Sequence, residues 1–64
     1  MKVNGRDVSL GAAISLEEFI DTNGYRKERI AVELNGRIVL KAEYETTVLE
    51  ENDSIEIVTF VGGG

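Results

Sequence analysis

The 64-residue chain contains no cysteine and no histidine. Those absences remove thiol nucleophiles, disulfides, Cys/His zinc sites and the usual proton shuttle of neutral pH, so no metal site and no chemistry through those groups is expected. Positive charge is also scarce, with seven Lys and Arg against twelve Asp and Glu and a formal net charge of −5. That sign opposes the phosphate neutralisation on which nucleic-acid binding depends, and it asks any charged partner to be basic where the two meet. No apolar run approaches the length needed to cross a bilayer, and the first residues lack the basic-then-apolar order of a secretory signal. The expectation is a cytoplasmic protein with neither a membrane nor a nucleic-acid partner. Length limits it further: one domain, near the lower bound for folding without disulfides or metal, cannot enclose a deep active site. A carboxylate-based hydrolase is disfavoured on the same ground, since no Asp or Glu is flanked by a signal for burial or for a paired acid and base.

What is present is ordinary for a globular chain, 42% hydrophobic and 30% charged. In KVNGRDVSL, Val3 precedes an Asn4-Gly5 pair, and Val8 and Leu10 follow in period-two alternation, a hairpin signal whose turn lies within Asn4 to Asp7. In SLEEFIDTNGY, Ser15 and Glu18 have capping-box spacing, Glu17 and Glu18 suit the positive end of a helix, and Leu16, Phe19 and Ile20 share one face. Asn23-Gly24 then stops the helix. After the mixed-charge connection YRKER, IAVEL places Ile30, Val32 and Leu34 on one side, and Asn35-Gly36 leads into RIVLK as a second hairpin. Tyr44 and Leu49 are expected as core plugs in a loop or short irregular strand. The turn EEND follows, where Asn52 can take positive φ at little cost. Glu50, Glu51, Asp53 and Glu56 make either a solvated turn and strand face or a contact for a basic surface.

The last strand, SIEIVTFV, alternates cleanly at Ile55 and Ile57, yet Val58 and Phe60 fall on the other face. Either the strand is central and covered on both sides, or its end presents Phe60 to a partner. The order of strand, strand, helix, strand, strand, strand suits an α+β domain in which one main helix crosses one face of a mixed sheet of four to five strands. This is the β-grasp arrangement, with first and last strands parallel at the centre. The reading assigns residues 1–61 to that domain and 62–64 to a flexible glycine tail.

The final residues, TFVGGG, are the most distinctive. A frayed terminus or linker remnant would account for them. The whole pattern, however, from the Asn4-Gly5 hairpin through AVELNGRIV to DSIEIVTFVGGG, resembles the ThiS family of ubiquitin-like sulfur carriers in thiamine biosynthesis. One departure is Asn52, where the family commonly has glycine before the position of Asp53. The resemblance implies that Gly64 is the modified residue. Its carboxylate, ionised at neutral pH, would on that resemblance be adenylated and then converted to a thiocarboxylate that supplies sulfur for thiazole formation. Gly62 and Gly63 would let the tail thread a narrow channel in a partner, having no side chains to obstruct it. Phe60 and Val61 either pack into the sheet or form an apolar docking surface beside the tail.

The resemblance also implies three partners: a ThiF-type adenylyltransferase, a sulfur donor fed by a cysteine desulfurase, and thiazole synthase. ATP and Mg would be used by the activating partner and not bound by this chain. It is then a protein substrate and carrier rather than an enzyme, with no catalytic residue of its own, and is expected to be a monomer when free. A molybdopterin-type sulfur carrier, or a ubiquitin-like modifier joined to lysine, is the alternative within the same class.

Overall fold

In the computed structural model, which describes residues 1–60, both Asn-Gly pairs form two-residue hairpin turns. The φ angles are 51° and 84° at Asn4 and Gly5, and 52° and 84° at Asn35 and Gly36. Positive φ at both central positions gives the type I′ turn, whose twist matches that of the flanking strands. The first turn joins β1 (Lys2–Val3) to β2 (Arg6–Asp7) with Val3 opposite Arg6. It is tighter than the span from Asn4 to Asp7, because Arg6 and Asp7 already belong to a strand. Val8 then exchanges main-chain bonds with Met1 at 2.7 and 3.0 Å and is exposed, while Leu10 packs against the core.

After β3 (Ile14–Ser15) comes the helix α1 (Leu16–Thr22). Ser15 Oγ accepts from the Glu18 N–H at 3.1 Å, the first half of the expected capping box; among the described residues Glu18 makes no return bond. At the other end Gly24 N–H donates to Asp21 O and Tyr25 N–H to Ile20 O, the bond pair of a Schellman stop. Leu16, Phe19 and Ile20 are all buried, as their spacing requires. The connection beyond tightens into a 3-10 turn over Lys27–Arg29. Two exposed ion pairs decorate it, Lys27 to Glu17 at 2.7 Å and Arg26 to Glu28 at 3.9 Å.

The second hairpin consists of β4 (Ile30–Leu34) and β5 (Arg37–Val39). A 3-10 turn over Lys41–Glu43 is closed by the Glu43 carboxylate, which accepts from the Leu40 N–H at 3.1 Å. It delivers Tyr44 to the core and leads to β6 (Val48–Leu49), which pairs with β3 in a small second sheet. The last strand, β7 (Ser54–Thr59), lies at the centre of the main sheet, whose order is β2-β1-β7-β4-β5. It runs parallel to β1 and antiparallel to β4. The helix packs across one face, over Ile30, Val32, Ile55 and Ile57, and Tyr44 and Leu49 complete that core. Each such side chain contributes roughly 1.5–3 kcal/mol by leaving water.

Two expectations need correction. Asn52 does not take positive φ; the turn is closed by an Asp53 N–H bond to Glu50 O and an Asp53 Oδ2 bond from the Glu50 N–H. The aspartate supplies the closure that a left-handed residue would otherwise give. Second, β7 is central but covered on one face only: Ile55 and Ile57 are buried, whereas Val58 is 58% and Phe60 52% exposed. One helix covers one face, and the other faces water.

Candidate functional site

The site suggested by the sequence is the place where β7 hands over to the glycine tail. The hydrogen-bond direction along β7 alternates. Ser54 O accepts from Asn35 N–H, and Phe60 N–H donates to Arg29 O at 2.7 Å, so even-numbered residues bond toward β4. Asp53 O and Ile55 O accept from Lys2 and Asn4 N–H, so odd-numbered residues bond toward β1. β1 reaches only to Val3, and Asn4 turns away. Its side chain replaces the missing strand: Ile57 N–H donates to Asn4 Oδ1 at 2.7 Å, and Asn4 Nδ2 donates to Ile57 O at 3.3 Å. The primary amide thus acts as one more peptide group of β1. Asn35, at the corresponding place in the second turn, accepts from Ser54 N–H at 2.9 Å and donates to Asp53 Oδ1 at 3.0 Å. Both turn asparagines therefore fix β7.

Phe60 is held by its main chain, is 52% exposed and is not part of the buried core. Its neighbours on the open face were not foreseen. Cross-strand register places Ala31 opposite Val58, and Glu33 opposite both Glu56 and Ile38. Ile38 is 73% exposed, and Leu40, which strand alternation puts on the same side, is 62% exposed. The signal was present in RIVLK: three consecutive apolar residues cannot all face inward from a strand. The open face is thus an apolar strip ending at Phe60, with two acids side by side. The acids of the 50–56 stretch divide in role. Glu51 accepts from Leu10 N–H at 2.6 Å and Asp53 closes a turn, while Glu56 is exposed on the open face. Val61, Gly62, Gly63 and Gly64, and with them the boundary between domain and tail, lie outside the described residues.

The model of the ThiS family matches residues 1–64. The chain belongs to the ThiS family. Among solved structures it is similar to the thiamine biosynthesis protein (ThiS) of Geobacter metallireducens, with 29% identity and a TM-score of 0.80 over 98% of this chain and 96% of that one. The mixed five-stranded sheet with one crossing helix is therefore the β-grasp fold of this ThiS family. The chain is also 39% identical over 62 residues to a thiazole synthase of Magnetococcus marinus, a match spanning 97% of this chain and 19% of that protein. A protein of Pyropia yezoensis described as uncharacterized protein ycf40 is 33% identical over 64 residues, 90% of its length. The ThiS-like region thus occurs both nearly alone and as about a fifth of a larger protein. Among the described residues no helix is long and apolar enough to cross a membrane.

Proposed function

We propose that this protein is a sulfur carrier for thiazole formation in thiamine biosynthesis, acting as a substrate of partner enzymes. In this reading the Gly64 carboxylate attacks the α-phosphorus of ATP on a ThiF-type adenylyltransferase, which also holds the Mg, and pyrophosphate leaves. The resulting acyl adenylate has AMP as a leaving group, which the carboxylate lacked. The terminal sulfur of a persulfide, formed by a cysteine desulfurase route, displaces AMP; a thiol then cleaves the sulfur–sulfur bond and leaves a thiocarboxylate. Thiazole synthase is the acceptor, a role supported by the relatives of that name that contain a region like this chain.

The observation that carries the proposal is the position of Phe60. It directly follows the central strand, anchored to Arg29, and is followed in sequence by Val61 and three glycines. The domain is then a rigid handle from which a slim tail reaches into a partner's cleft, with Gly62 and Gly63 offering no side chain to obstruct it. The exposed Val58 and Phe60 supply an apolar docking surface beside it, and Val61 extends that surface in sequence. Deletion of Gly64 should abolish ATP-dependent pyrophosphate release by the adenylyltransferase and leave the thermal unfolding midpoint unchanged, because the buried core is built from residues between Met1 and Ile57. Undiminished activation of that variant would contradict the proposal.

A further inference from the structure

β7 has one unfinished edge. Odd-numbered residues direct N–H and C=O toward β1, but β1 ends at Val3 and the Asn4 amide serves only Ile57. The next odd residue, Thr59, points both main-chain groups the same way, is exposed, and has no main-chain partner on that side among the described residues. Folded proteins usually blunt such an edge with proline, a charge or a bulge. Here the sequence is Thr59-Phe60-Val61, three residues of high strand propensity, and no proline follows, so every later residue keeps an N–H donor.

We propose that this half-edge is a strand-addition site: an extended segment of thiazole synthase pairs with β7 at Thr59, in line with β1. The inference rests on the carrier reading above. Main-chain pairing suits the task, since a tail without side chains offers little else to recognise. Val58 and Phe60, which flank Thr59 on the open face, would pack beside the added strand. The choice of partner follows from the relatives named thiazole synthase that hold a similar region in the same chain. There a local concentration set by the linkage lets a short, weak pairing suffice.

The test is hydrogen exchange of the full chain, alone and with the thiazole synthase of the same organism. The Thr59 amide should slow at least tenfold in the complex, while Ile57, already bonded to Asn4, changes little. A companion measurement compares Thr59→Pro, which removes only the outward N–H and spares the bonds of Val58 and Phe60 to β4, with Thr59→Ala, which keeps that donor. The proline variant should bind thiazole synthase at least tenfold more weakly and the alanine variant within twofold. Unchanged exchange at Thr59, or equal affinity of a folded proline variant, overturns strand addition; so does protection seen only with the adenylyltransferase. If the proline variant does not fold, the exchange measurement decides alone. Wild-type chain that gains sulfur while Thr59 stays unprotected refutes the pairing and keeps the carrier reading; wild-type chain that gains none refutes both.

Discussion

Asn4 shows how much one side chain can do in a molecule this small. It takes the left-handed conformation that its turn demands, and its amide bonds both main-chain groups of Ile57, 53 residues away. The Asn-Gly pair is readable from sequence as a turn, because its φ requirement is local. The bridge to β7 is not, because nothing near Asn4 states which strand will lie alongside. Asn4→Gly isolates the second role, since glycine keeps the turn. We expect it to lower unfolding free energy by about 1–2 kcal/mol, the cost of leaving a half-buried pair of peptide groups unsatisfied. Urea denaturation checks this, and a change under about 0.5 kcal/mol, the level of a neutral surface substitution, would show the bridge to be ornamental. Tyr44 gives a second prediction. Burial pushes its phenol above the ordinary tyrosine range, only partly offset by Lys27, and the Glu17 carboxylate hydrogen-bonded to Lys27 raises that ammonium in turn. Both groups hold their protons more tightly folded than unfolded. Their stabilisation is complete below the unfolded values near 10.0 and 10.5 and is lost as pH rises through the folded ones. Denaturation midpoints should therefore fall above pH ~10, and less so in Tyr44→Phe.

Among the elements, β7 and its neighbours separate what periodicity reveals from what it cannot. Alternation in IAVEL and SIEIV identifies Ile30, Val32, Leu34, Ile55 and Ile57 as inward; Leu34 is partly buried against the core and the other four are buried. It is silent on whether the opposite face is covered, since that depends on how many helices the chain supplies. With one helix, Val58 and Phe60 are left exposed. The β3–β6 pair also escaped notice because two residues per strand carry no period. On the open face, Glu33 sits directly opposite Glu56, an arrangement that costs stability in an antiparallel pair. Under the carrier reading, a basic partner surface would be the compensation. Glu56→Lys should then raise stability by about 0.2–1 kcal/mol. It should also weaken binding to the adenylyltransferase, with the deficit shrinking as salt is added. Greater stability with unaltered binding at low salt would remove the acidic pair from the interface.

At the scale of the whole molecule, the division of labour follows from size. A chain of 64 residues has apolar side chains enough for one core among its described residues. A groove between α1 and the turn over Lys27–Arg29 is open and lined largely by charged side chains such as Glu17, Asp21, Lys27 and Glu28. Under the carrier reading, reactivity is placed on the main chain beyond the sheet. That placement is what the resemblance of the closing TFVGGG stretch implies, whereas the β-grasp order is legible in the succession of elements. The sequence could not show the half-finished edge of β7, which exists only because β1 stops at Val3 while β7 continues to Thr59. The account's central claim concerns the Gly64 carboxylate, and intact-mass analysis tests it most directly. After incubation with the adenylyltransferase, ATP, Mg and a persulfide donor, the chain should show replacement of one oxygen by sulfur, mapped by fragmentation to Gly64. Sulfur found elsewhere, or no ATP-dependent change in mass with active partners, would contradict it.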